Sequence, residues 1–230
     1  MKKYLLLILI VVFAIGMSTF VSATVFNTPH ELAPEPCAMC HTPHSGTGQY
    51  PLWNRLQVAP TYETYDSVSF DMGPTFQPRP PSSLCLVCHN GLASSLVNYP
   101  GPCSVTDGAY DLQISGCADL DTWLMDDHPI SFNYDDTLDT ATDGNGFPPA
   151  TDVSVGTRVR YAIVGGLSGT NYFLYAASGA SAPTDRWFEC ATCHSVHDLA
   201  TYDGKGDYQV YFLRNDNTRS TMCKDCHTLR

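Results

Sequence analysis

Eight of the ten cysteines fall into four C-x-x-C pairs, and a histidine follows every pair: Cys37, Cys40 and His41; Cys85, Cys88 and His89; Cys190, Cys193 and His194; Cys223, Cys226 and His227. C-x-x-C-H is the attachment signature of a c-type haem. The two thiols add across the two vinyl groups on one edge of the porphyrin, and the adjacent histidine turns its imidazole nitrogen onto the iron. Zinc ribbons and thioredoxin-like dithiols also use C-x-x-C pairs, but neither needs a histidine directly after each one. The motifs therefore imply four covalently bound c-type haems, with the eight cysteines as attachment points and His41, His89, His194 and His227 as proximal iron ligands.

Four histidines remain, His30, His44, His128 and His197, and four haems need four sixth ligands. The match argues for bis-histidine coordination at every iron and against an open substrate site. His44 and His197 each lie three residues after a proximal histidine, so in a helical turn they project from nearly the same face and cannot reach around their own haem. Each is expected to serve a neighbouring haem: His44 the one at Cys85 and Cys88, His197 the one at Cys223 and Cys226. His30 and His128 then complete the haems of Cys37/Cys40 and Cys190/Cys193, in an order that spacing leaves open. Met39, Met72 and Met125 are the competing soft ligands and read as ordinary packing. The two leftover cysteines, Cys103 and Cys117, are expected to pair as a disulfide closing a 15-residue loop, which stabilises a fold by about 3 kcal/mol when unstrained; two free thiols are the alternative.

The elements that must position these ligands follow from the rest of the chain. Residues 1–23, with Lys2 and Lys3 ahead of YLLLILIVVFAI and VSA at 21–23, read as a secretory signal peptide cleaved after Ala23. Twelve apolar residues are too few to span a bilayer, and no second run of about 20 follows, so no membrane anchor is expected. Without the leader, 10 cations face 23 carboxylates, a balance that cannot neutralise phosphates and excludes a nucleic-acid partner. Gly and Pro total 33 against 43% apolar residues, too many turn formers for a regular helical or sheet protein and too much apolar surface for disorder.

The expected fold is therefore a multihaem cytochrome c, mostly irregular, with short helices at the haem motifs, a small β-hairpin and a core formed by four stacked haems. Its organisation reads as a first two-haem module at 24–100, a motif-free segment at 101–188 carrying the disulfide, the hairpin and His128, and a second two-haem module at 189–230. The order His, C-x-x-C-H-x-x-H, C-x-x-C-H occurs twice, at 30–89 and at 128–227. Six prolines between Tyr50 and Ser83 make that stretch a loop. RVRYAIV at 158–164 and NYFLYAA at 171–177, joined by GGLSGT, predict the hairpin. Asp139, Asp143 and Asn145 alternate as in a calcium loop, but no glutamate closes it, and a plain turn is expected. The chain runs only three residues past His227, which places the last haem near the surface.

The leader, TPH at 28–30 with CHTPH at 40–44, the DHPISFNY segment at 127–134 and the four C-x-x-C-H motifs with their C-H-x-x-H doubling resemble the tetrahaem extracellular cytochrome filaments of metal-respiring microbes, the OmcE type of cytochrome nanowire. The resemblance implies haems stacked in a continuous row and subunits polymerised end to end, with one axial histidine donated by the neighbouring subunit. His30, near the mature N-terminus, is the expected donor. The implied function is long-range electron transfer in a secreted homopolymer, between upstream and downstream redox partners, with no bond made or broken. The alternatives are a monomeric periplasmic tetrahaem carrier and a multihaem enzyme with one open iron.

Overall fold

Between residues 132 and 188 the chain carries its β-branched and aromatic runs, and these pair into one antiparallel sheet. The computed structural model describes residues 25, 28, 30–31, 36–42, 52–55, 60–92, 120–138, 147–155, 159–176, 185–197, 201–202, 209–210, 212–215 and 217–227. The strands are β1 (Phe132–Asn133), β2 (Ala150–Val155), β3 (Val159–Gly165), β4 (Asn171–Tyr175) and β5 (Trp187–Phe188), in the spatial order β1-β5-β4-β3-β2. β3 and β4 are the strands that the sequence marks as a hairpin, in register from Gly165 opposite Asn171 to Tyr161 opposite Tyr175. Gly169 takes φ +85° in their turn, a conformation that favours glycine. The sheet is larger than a hairpin because β1 and β5 are two-residue strands, too short to show alternation, and β2 is interrupted by Asp152.

Tyr172 and Leu174 of β4 are buried on one face of the sheet, with Asn171 exposed between turns of the pattern. They pack with Val164, Phe132, Phe188, Tyr134 and Met72. Met72 is thus a core residue. A smaller cluster of Tyr62, Leu86 and Leu124 lies under the irregular stretch 60–81. That stretch is held by reciprocal bonds in which Tyr62 N–H donates to Gln77 Oε1 at 2.9 Å and Gln77 Nε2 donates to the Tyr62 carbonyl at 2.8 Å.

Short helical turns form at the four cysteine motifs. A 3-10 turn covers Pro36–Met39, and the helices are α1 (Ser82–His89), α2 (Cys190–Cys193) and α3 (Thr221–Cys226). β5 runs through Glu189 directly into α2, and β1 follows His128 by four residues, so the sheet ties a lone histidine to a cysteine motif. Strands β6 (Thr201–Tyr202) and β7 (Gln209–Val210) make a separate two-stranded ladder. The leader at 1–23, His44, the Cys103/Cys117 pair and the Asp139, Asp143, Asn145 turn lie outside the described residues. No described helix is long and apolar enough to cross a membrane.

Candidate functional site

The backbone brings histidines together in twos. His30 and His89 have ring centroids 6.0 Å apart, His41 and His197 6.0 Å, and His128 and His227 6.3 Å. Each pair joins a histidine of a C-x-x-C-H motif to one that belongs to none. Imidazole nitrogens bind metals at about 2 Å, so an iron held between two opposed rings sets their centres about 6 Å apart. The donor set fits haem: each of these pairs would hold an iron between two imidazoles, and the bound group would supply one-electron chemistry. Among the described residues no group of three or more His, Cys, Asp or Glu side chains could hold a metal ion by itself.

The pairing differs from the one spacing suggests. His197 faces His41 of the first module, where its position suggested the haem at Cys223 and Cys226, and that haem's His227 faces His128 instead. Within the single chain, the His30 ring lies beside that of His89. The physical reason is that a three-residue offset excludes a histidine's own haem but says nothing about which of the others packs against it.

Aromatic rings fix the lone histidines. Phe212 stacks on His30 at 4.7 Å and Phe188 on His128 at 5.2 Å. His128 Nδ1 lies 2.9 Å from the Pro129 carbonyl, which only accepts, so the proton sits on Nδ1 and Nε2 keeps a bare lone pair for a metal. Burial holds His30, His128 and His194 below the ordinary imidazole pKa, His30 additionally through His89 and His194. They are neutral at neutral pH, the form that ligates iron. His128 and His194 are nonetheless exposed residues: rings crowded by protein on one side and open on the other.

Both C-H-x-x-H turns share a support that their spacing does not reveal. After the first, His41 pairs with Trp53 as an isolated bridge, Thr42 N–H donates to the Leu52 carbonyl at 2.7 Å and Asn54 N–H to the Cys40 carbonyl at 2.8 Å. After the second, His194 pairs with Leu213, Ser195 N–H donates to the Phe212 carbonyl at 2.7 Å and Arg214 N–H to the Cys193 carbonyl at 2.9 Å. Leu52 and Phe212, equivalent in this scheme, both have left-handed backbones, φ 56° and 67°. The next equivalent residues back-bond to the same motif position: Asn54 Nδ2 donates to the Ala38 carbonyl at 2.8 Å, Arg214 Nε to the Ala191 carbonyl at 3.0 Å. The return segments escaped the sequence reading because they lie at different distances along the chain, 12 residues after Cys40 and 19 after Cys193.

The fourth motif is docked through the residue between its cysteines. Asp225 is buried and accepts from Ser168 N–H at 2.7 Å, Ser168 Oγ and Tyr172 Oη both at 2.6 Å, and Asn215 Nδ2 at 3.0 Å. Burial raises its pKa, and those four donors outweigh it and leave the carboxyl below its ordinary value. Gly166 of the β3–β4 turn sits so close that a Cβ there would meet Asp225 Cγ at 2.4 Å.

Burial acts against the thiolate form at most of the described motif cysteines. Burial pushes Cys88 and Cys226 up to about 11 and Cys193 up to about 12. Cys85 also moves up, because it donates a hydrogen bond to Cys190 and is buried, and Cys190 moves down for the same bond. A thioredoxin-type pair needs a thiolate stabilised within its own C-x-x-C. Here the contact joins the second motif to the third and sets their attachment points side by side. No protein-family model matches the chain, and no curated protein does.

Proposed function

We propose that this chain is an electron-transfer protein carrying four bis-histidine c-type haems, working as the subunit of a secreted homopolymeric filament. The observation that carries the reading is the set of three histidine pairs at 6.0, 6.0 and 6.3 Å, each combining a motif histidine with a lone one. Each bound haem supplies a one-electron Fe(III)/Fe(II) couple. The chain's own residues do the rest: two imidazoles close both faces of an iron, which leaves no position for a substrate and requires no ligand exchange on electron transfer. The contact between Cys85 and Cys190, with the electrostatic coupling of His89 to His194, supports close neighbours at the second and third sites.

In a filament that passes an axial histidine between subunits, His30 is the proposed donor, and in the single chain its ring lies 6.0 Å from that of His89. Electron microscopy of the natively secreted holoprotein tests the proposal: filaments with a regular subunit repeat are expected, and discrete single-chain particles would leave the monomeric periplasmic carrier. A reduced protein that is wholly low-spin and inert to carbon monoxide removes the enzyme with an open iron.

A further inference from the structure

Glu189 stands directly before Cys190, is 0% exposed, and meets three segments at once. Its Oε2 accepts from Ser82 Oγ at 2.5 Å and from Ser131 Oγ at 2.9 Å. Ser82 is the first residue of α1, which carries Cys85, Cys88 and His89; Ser131 follows His128 by three residues; and Glu189 itself precedes α2, its N–H donating to Thr192 Oγ1 at 3.0 Å. One carboxyl thus touches the supports of three of the four proposed haem centres.

The hydroxyl protons are already assigned. Ser82 Oγ accepts from the Cys190 N–H at 2.8 Å, and Ser131 Oγ accepts from the Arg79 N–H at 3.0 Å. Each hydroxyl therefore has its proton free only for Glu189, and Oε2 takes both bonds. Oε1 is buried with no hydrogen-bond partner among the described residues. An ionised carboxylate with one bare oxygen in the interior is costly, and a proton on Oε1 removes that cost.

We propose that Glu189 is a redox-linked proton site: its carboxylate takes up one proton from solvent at Oε1 as an adjacent ferric haem accepts an electron, and releases that proton on reoxidation. The inference rests on reading the motifs as haem sites. The balance is one electron from a one-electron redox donor and, because a change in affinity of about tenfold protonates only part of the population, a fraction of a proton from water per Fe(III)-to-Fe(II) step at the coupled centre, with no bond to iron changed. Burial raises the Glu189 pKa to about 8, against the bonds from Ser82 and Ser131 that lower it; Cys190 and Arg79 act on it more weakly. The titratable groups that face it are Cys190 of α2, a thioether once haem is attached, Arg79 ahead of α1, and Tyr175 of β4. A negative charge added beside a buried carboxyl raises its proton affinity by on the order of tenfold at the effective dielectric of a protein interior. Reduction therefore favours the proton, and the potential of the coupled haem falls as pH rises around 8.

The test is potentiometric titration of the four-haem protein from acid to alkaline pH, together with proton uptake on reduction read by an indicator dye in weakly buffered solution, for wild type and Glu189→Gln. The wild type is expected to show a pH-dependent midpoint centred near pH 8 and uptake of a fraction of a proton per molecule. Glu189→Gln, which keeps size and hydrogen bonding, is expected to lose both while its low-spin spectrum and haem content are unchanged. An unchanged pH dependence in Glu189→Gln would overturn the proposal. If that variant does not fold, the reduced-minus-oxidised infrared spectrum of the wild type decides: a protonated-carboxyl band that grows on reduction and shifts in heavy water supports Glu189 coupling, and no such band overturns it. Purified protein without haem would instead sink the haem reading itself.

Discussion

The ligand turn at 37–55 and the one at 190–214 share a backbone plan and differ in what holds them. In both, a histidine bridges to a return segment whose leading residue is left-handed, and a side chain bonds back to the carbonyl after the first cysteine. The first uses neutral Asn54 and presents Leu52 to solvent, 51% exposed. The second uses Arg214, whose guanidinium also lies over the Phe173 ring at 4.6 Å, and buries Phe212 against His30. Its helix is reached from β5, so it is fixed to the sheet, and Glu189 binds it to α1. The comparison teaches that the turn is local grammar, repeated from the motif itself, whereas the place of the second copy in the molecule comes from polar bonds with α1, far away in the chain.

The largest expected effect breaks the cross-pairing. His197→Ala should convert one haem in four from low-spin to a high-spin centre that binds carbon monoxide when reduced. The new centre should vanish when Cys37 and Cys40 are also replaced, because the opened iron belongs to the first module; persistence of the signal there would assign His197 elsewhere. Next, Gly166→Ala forces a methyl into Asp225 and pushes the fourth motif off the sheet. Overpacking of this kind costs about 3 kcal/mol, visible as a lower guanidinium midpoint with an unchanged slope.

The two back-bonding side chains sharpen the comparison further. Arg214→Ala removes a charged donor and its ring contact and should cost about 2 kcal/mol, whereas Asn54→Ala removes one neutral bond and should cost about 1 kcal/mol; equal losses would mean that the two turns are supported alike. The smallest effect is at Leu52. A left-handed non-glycine residue is strained by about 1 kcal/mol, so Leu52→Gly should be neutral to slightly stabilising in the same denaturation experiment. Phe212→Gly should not share that tolerance, since its ring is buried on His30.

Much of the candidate site was legible in the sequence as a set of residue types. The C-x-x-C-H spacing suggests haem attachment and the histidine count suggests sixth ligands, and the structure brings six of the eight histidines together in pairs. The β3–β4 hairpin was legible as two apolar runs about a glycine-rich turn. β1 and β5 were not, because two-residue strands carry no periodicity and gain their pairing from Phe132 meeting Phe188 across the sheet, and β2 was not, because its apolar run is broken at Thr151 and Asp152. Glu189 and Asp225 looked like ordinary acidic residues beside cysteines; nothing local distinguishes a buried carboxyl from a solvated one. Their roles depend on Ser82, Ser131, Ser168 and Tyr172, which lie 53 to 107 residues away.

What the sequence by itself determined is chemical identity: four C-x-x-C-H motifs, four further histidines and an acidic balance of charge. Those properties are set by covalent spacing and by charge, and they survive any packing. What only the tertiary structure decided is partnership. That His41 meets His197, that His30 meets His89, and that a single buried carboxyl ties three motifs together are outcomes of chain segments far apart in sequence finding one another. No short-range rule constrains them, because ligand pairing is fixed by which faces the sheet and the return turns bring within about 6 Å of each other.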